Sequence, residues 1–170
     1  MLAHFRMFAR YNAWANRLVY DAAAVLSDAD YRSDQGAFFK SLNGTFNHLL
    51  VADRIWMRRF TGEGPQPTAL DQILHDDFAS LRQARVAEDA RIVGFFDRLT
   101  IEQAAANMSY RSLLAAASAT TQPMAEAILH CFNHQTHHRG QVHMILTRLT
   151  GEAPALDLAI YQRRRGMGLA

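Results

Sequence analysis

Among its 170 residues the chain has one cysteine, Cys131, and one lysine, Lys40. A lone cysteine excludes an intramolecular disulfide and accords with a reducing compartment. The other 17 of the 18 basic residues are arginines, interspersed with 16 acidic residues to leave a formal net charge of +2. No long basic stripe results, so nucleic acid is not expected as a partner. The one cluster, Arg163-Arg164-Arg165 before Gly166, reads as a surface tail. Apolar runs long enough for a membrane span are lacking, and Arg6, Arg10, Arg17 and Asp21 interrupt the region where a signal peptide needs an apolar stretch. The expectation is a cytoplasmic protein with no membrane partner.

Glutamate is scarce too. Five in the whole chain, without paired Glu-x-x-His spacing, exclude a ferritin-like di-iron bundle. Gln135 follows His134, so the His-Glu-x-x-His pattern of a zinc protease is absent. A Gly-rich phosphate loop, a nucleophile elbow and a Ser-His-Asp order are missing as well. At this length a single domain over residues 1–170 buries enough surface to fold without a metal, so any metal present is expected to be functional.

Four segments carry helical periodicity, and none alternates like a strand for more than a few residues. The first runs from about Leu2 to Leu26 through Phe5, Phe8, Ala15, Leu18, Ala22 and Val25. The second spans about Ser41 to Thr61 and stops at Gly62-Glu63-Gly64-Pro65. A third spans about Ala69 to Leu99, its polar face carrying Arg82, Arg85, Glu88 and Arg91 outward. Thr100-Ile101-Glu102-Gln103 has capping-box spacing for a short helix, and residues 104–121 read as connection. The fourth helix starts near Thr121, ends at Thr150-Gly151, and a short C-terminal helix opens near Asp157. Four amphipathic helices joined by some long connections predict an all-α four-helix bundle, with crossovers permitted.

The fourth helix holds His130, His134, His137, His138 and His143. At about 100° per residue, Ala127, Cys131, His134, His138, Val142, Ile145 and Leu149 share an arc of about 80°. That places two histidines in the middle of the core-facing stripe. Buried imidazoles are either hydrogen-bonded core residues or metal ligands, and two on successive turns can share one cation. His48, at the edge of the second helix's apolar stripe, supplies a third nitrogen. Three neutral imidazoles suit zinc, nickel or iron and leave a coordination position open. A water or thiol bound there ionises near neutral pH. His130 and His137, beside Gln141, are placed to hold a ligand ring by hydrogen bonds, although a plain helix-flank role fits them too. Cys131 reads as core filler or a soft fourth ligand, whereas His4, His75 and His143 have no visible partner.

The run His134-Gln135-Thr136-His137-His138-Arg139-Gly140-Gln141, after Asn133, resembles the Asn-His-x-x-x-His-Arg-Gly-Gln hallmark of the DinB/YfiT-like superfamily. Asn47-His48-Leu49 with Trp56 downstream, Tyr11-Asn12-Ala13-Trp14-Ala15-Asn16 and Pro154 to Tyr161 extend the resemblance over essentially the whole chain. It implies a bundle of up-down-down-up order, commonly a homodimer, with a divalent metal on His48, His134 and His138. Relatives include metal-dependent transferases that use a low-molecular-weight thiol and proteins known only as damage-inducible. The leading expectation is therefore a thiol-dependent S-transferase acting on electrophilic small molecules, with Trp56 and Tyr161 as pocket walls. The alternatives are a metal hydrolase, for which Asp53 is the nearest general base, and a non-catalytic metal-binding stress-response protein.

Overall fold

Each long helix begins or ends where the local chemistry dictates. The computed structural model describes residues 1–113 and 119–168. Among these, α1 spans Leu2–Ala23, α2 Asp28–Arg32, α3 Leu42–Thr61, α4 Phe78–Arg98, α5 Ile101–Ala105, α6 Met124–Thr150 and α7 Leu158–Gly166. The Ser41 hydroxyl accepts from the Gly44 amide at 3.1 Å to open α3, and Gly62, at φ 76°, closes it in the left-handed conformation. Thr100 and Gln103 form the full capping box expected for α5.

Three boundaries differ from the periodicity. The first helix stops at Ala23, short of Leu26, and Val25 is 82% exposed. The helix expected from Ala69 starts only at Phe78, because the Asp77 carboxylate caps it through the Ser80 amide at 2.7 Å. The residues ahead of that cap are held in a non-helical loop by Asn47, described below. The helix expected from Thr121 starts at Met124, because residues 119–123 form a strand.

That strand, β2 (Ala119–Pro123), pairs antiparallel with β1 (Asn107–Arg111). Their side chains are mostly polar, and the Ser109 and Thr121 hydroxyls meet at 2.7 Å across the hairpin. Only Met108 is buried in β1. So few apolar positions leave no legible alternation, which is why this stretch reads as connection. The expected connection also includes residues 114–118, which lie outside the described residues.

The long helices touch in a ring: α1 packs on α4 and α6, and α3 packs on the same two. Two of the three apolar clusters among the described residues lie between these helices. One gathers Val19, Tyr20, Leu42, Phe46, Leu49, Leu50, Leu81, Val142, Ile145 and Leu146, and the other Phe5, Ala9, Met57, Ile92, Phe96, Ile128 and Phe132. On every long helix the residues between the two sets are polar and buried: Asn12 and Asn16 on α1, Asp53 on α3, Arg85 and Glu88 on α4, Gln135 and Arg139 on α6.

This layer is internally paired. Arg85, 2% exposed, lies 2.7 Å from Asp53 and 2.9 Å from Asp89. Asn16 donates to Asp89 at 3.0 Å and accepts from Arg139 at 3.4 Å. Arg139, 1% exposed, also donates to Asn12 at 2.7 Å and to Gln135 at 3.1 Å. Arg85 thus stands against two carboxylates and Arg139 against side-chain amides, while Glu88 pairs with Arg54 and Arg91, which is how charge survives removal from water. Arg85 and Glu88, expected on an outward face, are in fact core residues. Among the described residues no helix is long and apolar enough to cross a membrane.

Candidate metal centre

Packing of α3 against α6 brings His48 to His134 and His138, which stand one turn apart on α6. One ligand atom from each lies within 4.8 Å of the others. The Nε2 atoms of His48 and His134 are 3.1 Å apart. Two nitrogens about 2.05 Å from one tetrahedral ion would lie about 3.3 Å apart, so the spacing fits a shared cation.

The tautomers fit as well. His48 Nδ1 donates to the Leu70 carbonyl oxygen at 2.8 Å, and His138 Nδ1 donates to Gln141 Oε1 at 2.8 Å. A neutral imidazole that donates through Nδ1 keeps its lone pair on Nε2. Two lone pairs at the His48–His134 distance repel unless a proton or a cation lies between them. Burial pushes the His48 pKa down to about 4, against the raising effect of the Leu70 bond. Burial, reinforced by the neighbouring histidines, takes His134 down to about 3. His138 is also lowered, again chiefly by burial. All three are therefore neutral at pH 7, the form that ligates a metal.

Second contacts hold these rings. Asn47, fully buried beside His48, accepts from the Leu74 and His75 amides at 2.8 and 3.0 Å and donates to the His75 carbonyl at 3.0 Å. This clamp fixes the loop that presents the Leu70 carbonyl to His48. Phe39 stacks on the His48 ring at 3.8 Å and meets His138 edge-on at 5.6 Å. Its backbone lies so close to α3 that a side chain at Gly44 would overlap the Phe39 carbonyl oxygen. Neither Phe39 nor the Asn47 clamp is visible in the sequence, since both depend on a loop folding back over the helix.

The buried stripe of α6 is rotated from its expected position. Its centre runs through Ile128, Phe132, Gln135, Arg139, Val142 and Leu146, with Gln135 and Arg139 in the middle. His134 is half-buried at the edge, where a ligand can reach it.

A cavity of about 360 Å³ opens beside the cluster, lined in part by His48, His134, His130, Trp56, Tyr110 and Arg59. Among the described residues no aspartate or glutamate lines it. The Trp56 ring stands 5.2 Å from His130, and His130 stands 5.8 Å from His134. Burial, then the nearby Arg59, lowers the His130 pKa. His137 is exposed and meets His138 edge-on at 4.8 Å. Cys131 lies outside the ligand cluster, and burial pushes its thiol well above the ordinary value.

Tyr161 is elsewhere. It packs on Tyr11 at 5.7 Å and Trp14 at 5.5 Å and lines a separate cavity beside α1 and α4. The structure does not place it at the histidine cavity; the α7 helix that carries it packs on α1. Asp53, considered as a general base, is tied to Arg85 between helices and does not line the cavity.

Comparison with known proteins gives two matches. The model of the DinB family matches residues 1–166. Protein DinB of Bacillus subtilis (strain 168) is 21% identical over 170 residues, covering 92% of this chain and 92% of that protein.

Proposed function

The chain belongs to the DinB family, and from that premise we propose that it is a metal-dependent enzyme in which His48, His134 and His138 hold one divalent ion. The helix order is read as up-down-down-up in one domain, and the assembly as a homodimer, both on the family resemblance. One observation carries the metal reading: two Nε2 atoms 3.1 Å apart, in a pair where His48 is oriented through Nδ1 by the Leu70 carbonyl. Zinc, nickel and iron all suit three imidazoles.

A divalent ion bound here supplies Lewis acidity that ionises a coordinated thiol or water. The chain's own residues then set which nucleophile is used. Attack by water ordinarily calls for a general base, most often a carboxylate or histidine. Among the described residues the cavity carries no carboxylate. Coordination to a divalent ion would ionise a thiol with less help from a base than water needs, so the reaction is read as transfer of a small thiol to an electrophile. The apolar walls Ile55, Trp56 and Leu70 favour a thiol over water, and His130 is placed to accept the proton the thiol releases.

The test is conjugation of a small thiol to a chromogenic aryl halide. Metal-loaded protein is expected to accelerate the reaction, and both metal-stripped protein and a His138→Ala variant to lose that acceleration. Equal rates with and without metal, across the common cellular thiols, would overturn the transferase reading.

A further inference from the structure

Arg59 lies in the corner formed by two aromatic rings, Trp56 and Tyr110, that meet edge-on at 5.2 Å at the end of the histidine cavity. Its guanidinium carbon lies 4.4 Å from the Trp56 ring centroid and 4.2 Å from that of Tyr110. One hydrogen bond, from Nη2 to the Arg111 carbonyl at 3.1 Å, fixes it further. A guanidinium carries five N–H donors. Arg54, Arg85 and Arg91 each have a carboxylate partner, whereas among the described residues none pairs with Arg59.

The surroundings share one sign. Among the described residues the cavity has no acidic side chain, and neither has the adjoining hollow, where Arg58 and Arg111 join Arg59. With low-dielectric walls, such a cavity draws anions in. Ile55 and Leu70 give it an apolar middle.

We propose that the cavity binds a small molecule bearing a carboxylate, which Arg59 grips while the molecule's other end reaches the three-histidine centre. The proposal rests on the reading of that centre as a metal site with an open position. A guanidinium held in place by two rings and one backbone carbonyl keeps free N–H donors, and its fork matches a planar carboxylate in two parallel hydrogen bonds. The length follows from α3. His48 and Arg59 are eleven positions apart, about 16 Å of helix, and the longer arginine side chain, leaning toward the N-terminus, reaches further back than the His48 ring does. The gap is thus shorter than about 16 Å. Ring contacts bridge it: His134 to His130 at 5.8 Å, His130 to Trp56 at 5.2 Å, and Trp56 to Arg59 at 4.4 Å. A volume of about 360 Å³ admits a molecule of that span and no macromolecule.

The experiment uses full-length protein reconstituted with cobalt(II) and titrated with ω-mercaptoalkanoates of three to eight carbons and with their amides. Binding is read from the cobalt–thiolate absorption band, and metal content is measured on the same samples. The longer acids are expected to bind about tenfold or more tightly than the matching amides, as a charge-assisted pair implies. That preference should vanish in Arg59→Gln and persist in part in Arg59→Lys. Full cobalt occupancy with acid and amide titrating alike in the wild type would overturn the proposal while leaving the metal reading intact. Full occupancy with no thiolate band at any length would overturn it too. Absence of cobalt from the wild type would overturn the metal reading and the proposal together.

Discussion

The Nδ1 of His48 donates to the carbonyl oxygen of Leu70 at 2.8 Å, and that carbonyl belongs to a loop clamped by the neighbouring side chain, Asn47. Adjacent residues on α3 thus act on one loop: Asn47 holds it, and His48 donates to the carbonyl it presents. A ligand ring whose far nitrogen is engaged loses less freedom when it binds a cation.

Asn47→Ala should therefore weaken metal binding without touching a ligand. Losing an outer partner of this kind lowers metal affinity about 10–100-fold, and the freed backbone groups cost about 1–3 kcal/mol of stability. Competition with a chromogenic chelator measures the first and thermal unfolding the second. Unchanged affinity would detach the clamp from the site.

Gly44→Ala should disturb the same site from the opposite side. The new methyl overlaps the Phe39 carbonyl oxygen, so the loop must lift and the Phe39 ring must leave His48. Overpacking of this sort costs about 1–3 kcal/mol. Phe39→Leu, which removes the stack without the clash, should be less destabilising and still alter metal affinity. If Gly44→Ala unfolds at the wild-type temperature, the close approach is wrong.

Asp53→Asn should be costly although it lies outside the cavity. The change leaves Arg85 with Asp89 as its remaining ion-pair partner in a buried layer, and breaking a buried pair costs about 3–5 kcal/mol. Urea unfolding measures the loss. A change below about 1 kcal/mol would mean that Asp53 and Arg85 are solvated.

The polar layer also explains what the sequence concealed. Apolar spacing located the long helices because Leu, Val and Phe mark both ends of each. It misplaced the buried face of α6 because Gln135 and Arg139 occupy its centre, and no hydropathy pattern assigns an arginine to a core. Arg85 reads as a surface residue for the same reason. The partners of both, Asn12, Asn16, Asp53 and Asp89, come from other helices and are invisible to any local window. His48, His134 and His138 were legible because helix spacing and family motif point to the same side chains. Phe39, the Leu70 carbonyl and Arg59 were not, since loop folding and hairpin packing bring them in. Tyr161 was assigned to the pocket by its place in the resemblance, whereas packing on Trp14 carries it to a different cavity.

Stability of the metal-free protein should depend on pH in a defined window. In the unfolded chain histidine titrates near 6.5, whereas in the fold His48 titrates near 4 and His134 near 3. Between those values the unfolded state binds more protons than the native state, so stability rises with pH and falls as pH drops. Unfolding temperature, measured with chelator present, should thus be level above pH 7 and decline from about pH 6.5 toward pH 4. His134→Asn should flatten that slope. A profile unchanged by the substitution would show that the ring is not held neutral by burial.

Elemental analysis of untagged protein tests the central claim most directly, with the wild type beside His48→Ala, His134→Ala and His138→Ala. The account predicts about one divalent ion per wild-type chain and loss of the ion in every variant, with helical content retained because the apolar clusters do not depend on it. A wild type that holds no metal even after reconstitution with zinc, nickel and iron would contradict it. The His48–His134 contact would then be a hydrogen bond within the core.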